Sequence, residues 1–137
     1  MGYTIRWQPL HFTDFSYNNV ITTLPKVLRN STELTQMPWG FIVGDNDTHE
    51  NVAFGREEPY LFCWSKTNRL PYTKEAMKAL ILMVEFGVTE GLDHDDMSMA
   101  IYLEALNEVN EKHPLKSYEL QRKYFTDLET RKQVSKN

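Results

Sequence analysis

The stretch from Pro59 to Val88, PYLFCWSKTNRLPYTKEAMKALILMVEFGV, constrains the fold more than any other part of the chain. Its apolar run Tyr60-Leu61-Phe62-Cys63-Trp64 is bounded by Pro59 and by Ser65-Lys66-Thr67-Asn68. Shortness, aromatic content and flanking turn residues predict a strand with both faces covered. Pro71 then presets the first backbone angle of a helix beginning near Tyr72 or Thr73, with Thr73 as N-cap and Glu75 favourable in the first turn. At about 100° per residue, Lys74, Lys78 and Glu85 fall in a narrow stripe, and Ala76, Met77, Ala79, Leu80, Met83, Val84 and Phe86 cover the rest. Such a helix is packed on most of its surface. Ile81 breaks the pattern by falling inside the charged stripe. It reads either as a residue half-covered by the Lys78 and Glu85 stems or as a contact point for a partner. Gly87 ends the helix as a left-handed C′ residue.

Towards the N-terminus, Tyr3, Ile5 and Trp7 alternate with Thr4, Arg6 and Gln8, which predicts a half-buried strand that Pro9 stops. A helix capped by Asp14 or Ser16 follows, with Val20, Ile21, Leu24, Val27 and Leu28 on one face and a kink or break expected at Pro25. Asn30 to Gln36 reads as a polar connection. Trp39–Val43 and Val52–Phe54 are expected as strands leading to the one at Tyr60–Trp64, a meander joined by short loops. Beyond Gly87, a helix is expected from about Asp95 to Lys112 and another near Leu115 to Glu129. The fold class is thus α+β: a four-stranded, mainly antiparallel sheet in β-α-β-β-β-α-α-α order, packed against helices. Residues 1–129 are expected to form one domain and residues 130–137 a polar tail.

Hydrophobic content of 41% with 25% charged residues belongs to a globular chain, not a disordered one. One cysteine, Cys63, excludes an internal disulfide framework and a multi-cysteine zinc site. The sequence lacks a secretory signal pattern and any run of membrane-spanning length, so a cytoplasmic protein is expected.

Charge is unevenly placed. From Ala79 to Glu111 there are eight acidic residues and no lysine or arginine, whereas from Lys112 onward seven basic residues face three acidic ones. One reading pairs the last two helices as a hairpin, acid against base. The other makes Glu104, Glu108 and Glu111 an outward ridge that docks another protein with a basic surface, with Ile81 as an apolar contact beside it. The function expected is that of a small regulatory or protein-binding module.

The loop Asp45-Asn46-Asp47-Thr48-His49-Glu50 is rich in oxygen ligands but lacks the glycine and glutamate of an EF-hand. Asp93-His94-Asp95-Asp96 offers a His-Asp pair for metal-assisted hydrolysis, yet His11, His49 and His113 show no helical ligand spacing to it. The order strand, helix, meander, helix over Tyr3 to Val88, opening on Tyr3-Thr4-Ile5-Arg6, resembles at topology level the front half of the GNAT acetyltransferases. That resemblance implies acyl transfer around Asn68–Thr73, although the family's glycine-rich cradle has no glycine here and Pro71 removes a backbone donor. Lys66, Arg69, Lys74 and Lys78 with Trp64 and Tyr72 could form a basic-aromatic patch, but a net charge of −4 argues against nucleic acid. Trp7 and Trp39 could instead mark a homo-oligomer contact. No catalytic residue, metal site or cofactor is assigned.

Overall fold

The structure is a computed structural model that describes residues 3–45, 50–57, 64–67, 71–90 and 99–123. It is α+β, as expected, but the strands are grouped differently. In chain order the elements are β1 (Tyr3–Arg6), α1 (Asp14–Val27), a short 3-10 turn (Ser31–Glu33), β2 (Leu34–Met37), β3 (Gly40–Asp45), β4 (Glu50–Gly55), β5 (Trp64–Thr67), α2 (Pro71–Glu85) and α3 (Met99–Lys112). Residues 118–123 are helical again. In place of one four-stranded sheet there is a three-stranded antiparallel sheet, β2-β3-β4, and a separate two-stranded ladder, β1-β5.

The difference comes from the segment expected to be a polar connection. Leu34–Met37 is a strand, paired with β3 through Leu34↔Val43 and Met37↔Gly40. Only Pro38 and Trp39 intervene, so a two-residue turn fixes the register. Gly40, at the end of that turn, has φ of +154°, and a Cβ there would lie 2.1 Å from the Phe54 carbonyl oxygen. No residue with a side chain can take that place without moving β4. Of the strand expected at Tyr60–Trp64 only Trp64 is described, and it opens β5, whose Ser65–Thr67 was expected to be a turn and which pairs antiparallel with β1, Arg6 opposite Trp64. Residues 58–63, including Cys63, lie outside the described part.

Thr13, not Asp14 or Ser16, caps α1. Its hydroxyl accepts from Ser16 N–H at 3.0 Å while Ser16 Oγ accepts from Thr13 N–H at 2.9 Å, a complete capping box. Pro25 does not break the helix, which runs to Val27. It sits in the last turn, where it removes the hydrogen bond to the Ile21 carbonyl but has only two helical residues after it to redirect.

α2 is the centre of the molecule. Ala76, Met77, Ala79, Leu80, Ile81, Leu82 and Met83 are all fully buried. They meet Val20, Leu24 and Val27 of α1, Phe41, Val43, Val52 and Phe54 of the sheet, and Tyr102, Ala105, Leu106 and Val109 of α3 in one core. Phe41 and Phe54 are cross-strand partners whose rings lie 5.3 Å apart, and Trp7 packs on Phe54 at 5.0 Å. Burial on this scale, at roughly 25 cal/mol per Å² of apolar surface, is what holds the layers together. The helix begins at Pro71, one or two residues before the expected start, so Thr73 is a buried residue of the first turn and not its cap. It ends as expected. Gly87 has φ of 77°, Gly87 N–H donates to Val84 O at 3.1 Å, and Val88 N–H donates to Met83 O at 2.8 Å, a Schellman closure.

Candidate functional site

Where α1 ends, α2 and α3 come together around Lys78. This residue was expected on the solvent stripe of α2; the structure buries it, its side chain only 1% exposed. A buried ammonium needs compensation for lost hydration, and three acceptors supply it. Its Nζ donates to Val27 O at 3.0 Å and to Glu75 Oε1 at 3.1 Å, and lies 3.3 Å from Glu108 Oε1. Glu75, also buried, accepts the Arg29 N–H at 2.6 Å through the same Oε1. The pair therefore satisfies one carbonyl and one amide at the exit of α1, where helical bonding has run out. Glu75 Oε2 and Thr73 Oγ1 are buried without a hydrogen bond, although Oε2 lies 3.1 Å from Lys78 Nζ within the ion pair.

The acidic row of α3 meets this junction from the solvent side. Lys74 Nζ lies 2.6 Å from Glu108 Oε2 and 3.1 Å from Glu104 Oε1. Its hydrogen bond to Glu108, against some loss of hydration and with help from Glu104, holds the Lys74 ammonium above the usual lysine value. Partial burial opposes ionisation of Glu108, but the hydrogen bonds and charges of Lys74 and Lys78 outweigh it and keep the carboxyl below its ordinary range. Among the described residues the carboxylates of α3 thus find basic partners on α2; the last helix, with which the hairpin reading paired them, is described only as far as Lys123. Glu108 is turned inward at 35% side-chain exposure, Glu104 remains 62% exposed, and Glu111 is exposed.

Ile81 occupies no surface. It is wholly buried, and its carbonyl accepts Gln121 Nε2 at 3.3 Å, so its role is packing and the anchoring of the chain's last described turns. Its place in a charged stripe misled because Lys78, which defined the stripe, is itself internal. The same burial removes Lys78 from any basic-aromatic surface, and Trp7, at 2% exposure, from any oligomer contact. Glu85, also placed on the stripe, accepts from Lys116 N–H, Ser117 N–H and Ser117 Oγ, at 3.0, 2.9 and 2.6 Å. Gln121 in turn accepts from Tyr102 OH at 2.5 Å.

A second feature is an open cleft of about 380 Å³ lined by Gln8, Pro9, His11, Gly87, Val88, Thr89 and Glu90. Two cross-loop hydrogen bonds build it, His11 N–H to Val88 O at 2.8 Å and Thr89 Oγ1 to Gln8 O at 2.9 Å. Neither it nor the Lys78 junction was legible beforehand. The one available signal was the three-residue spacing of Glu75 and Lys78 inside an otherwise apolar helix.

Among the described residues no three His, Cys, Asp or Glu side chains are grouped as metal ligands, and no helix is long and apolar enough to cross a membrane. His94 and Asp95, Asn46–His49, and Asn68–Leu70 of the suggested acyl-transfer turn lie outside the described residues. Compared with protein-family models, curated proteins and solved structures, the chain matches none.

Proposed function

We propose that this chain is a small binding module that docks the basic surface of another protein through the outer face of α3. The support is electrostatic. Glu104 keeps most of its side chain in solvent even while touching Lys74, and Glu111 is exposed one turn beyond Glu108. The described helix carries no basic residue before Lys112. Carboxylates arranged this way raise the encounter rate with a cationic surface and lose that advantage as salt rises. Glu108 stands behind them, committed to Lys74 and Lys78, and Ile81 drops out of the docking surface.

The test uses a lysine-rich peptide as probe, at several salt concentrations. Glu104→Lys with Glu111→Lys should weaken binding at least tenfold. A charge-matched control, Glu50→Lys with Glu119→Lys, should leave it within about twofold. Equal losses in both variants would reduce the interaction to net charge and overturn the reading. Thermal-shift screens with acyl-CoA and with divalent cations address the enzyme alternatives, since a ligand at a hundred times its Kd stabilises by about 2.7 kcal/mol.

A further inference from the structure

Lys78 has three N–H donors, and each acceptor belongs to a different helix: Val27 O to the end of α1, Glu75 to α2 itself, and Glu108 to α3. The junction is dry at one end and wet at the other. Glu75 and Lys78 are buried, whereas Glu108 is 35% exposed and is also held by Lys74. Because the dry end excludes water, a change in charge at the wet end is poorly screened there. Glu75 Oε1 is shared between Lys78 Nζ and the Arg29 N–H, whereas Glu75 Oε2, also 3.1 Å from Nζ, makes no hydrogen bond and faces the ammonium through charge alone. A shift of the ammonium along this carboxylate changes how Oε1 meets the Arg29 amide.

We infer that Lys78 is a relay that couples the seating of α3 to the exit of α1, so that neutralising Glu108 loosens the Arg29 N–H···Glu75 bond. The coupling is a property of the fold and does not rest on the docking role of Glu104 and Glu111. It makes the lead-in to the 3-10 turn, which the Arg29–Glu33 ion pair spans, responsive to events on α3.

Amide hydrogen exchange on the intact chain tests this. In Glu108→Gln the Arg29 amide should exchange about tenfold faster, the order expected for weakening one charge-assisted hydrogen bond. The Val88 amide, bonded to Met83 O at the far end of α2, should change less than twofold. In a Lys78→Met background, adding Glu108→Gln should leave Arg29 exchange unchanged. If Lys78→Met does not fold, the Arg29 to Val88 ratio in Glu108→Gln alone decides. An unaltered Arg29 rate, or equal acceleration of Arg29 and Val88, would overturn the relay, the second because it reports general destabilisation.

Discussion

At Lys78, one methylene-rich side chain carries its ammonium into the buried junction of α1, α2 and α3. Removing either partner of such a pair leaves the other uncompensated, so Lys78→Met should destabilise the protein by about 3–5 kcal/mol in chemical denaturation. The double variant Glu75→Gln with Lys78→Met should recover most of that loss. The glutamine oxygen can still accept the Arg29 N–H, and no bare charge remains. A double variant as unstable as the single one would show that the loss comes from packing and the Val27 carbonyl, not from charge. Gly87 makes a different kind of demand. A Cβ there would meet nothing within 4 Å, so Gly87→Ala tests backbone conformation alone. The left-handed geometry should cost about 1–2 kcal/mol, read as a lower urea midpoint with unchanged m.

Helix α2 was readable from its residues in outline but not in orientation. Pro71 marked its start and Gly87 its end, and Leu80 and Met83 are buried as their spacing implied. What failed was the rule that charge marks solvent. Glu75 and Lys78 neutralise each other one turn apart, and the Val27 carbonyl and Arg29 amide add a hydrogen bond to each, so both stay buried as a pair. β2 was missed for the converse reason. Thr35 and Gln36 are the polar half of an edge strand, and pairing with β3 outweighs their weak individual preference. The docking of the last described turns depends on Glu85. Burial opposes its ionisation, but hydrogen bonds from Ser117 Oγ and from the Lys116 and Ser117 amides, with the charge of His113, keep its carboxyl below the ordinary value. Because the folded value is lowered, this contribution is complete above the unfolded value of about 4.3. It is lost as the pH falls through the folded one. Exchange of the Lys116 and Ser117 amides should therefore accelerate relative to the rest of the chain below about pH 4.3, and Glu85→Gln should abolish that acid dependence.

For the molecule as a whole, α2 is a shared wall: α1, the sheet and α3 each bury their apolar side against it. No layer can leave without exposing the others' surface. Tryptophan fluorescence, to which buried Trp7 contributes from beside the sheet, and helical circular dichroism should therefore report one coincident unfolding transition in urea. Separate midpoints would mean that the helices and the sheet hold independent cores. The acidic residues of α3 were legible in the sequence, but their partners were not, because only the packed fold brings Lys74 within reach of a helix thirty residues away.

The paired ions in the interior also leave a mark on how this chain can vary. Drift at position 75 or 78 taken singly strands a charge in oil, whereas a joint exchange that removes both charges and keeps an acceptor for the Arg29 amide costs less. Descendants that keep this architecture are expected to change the two sites together.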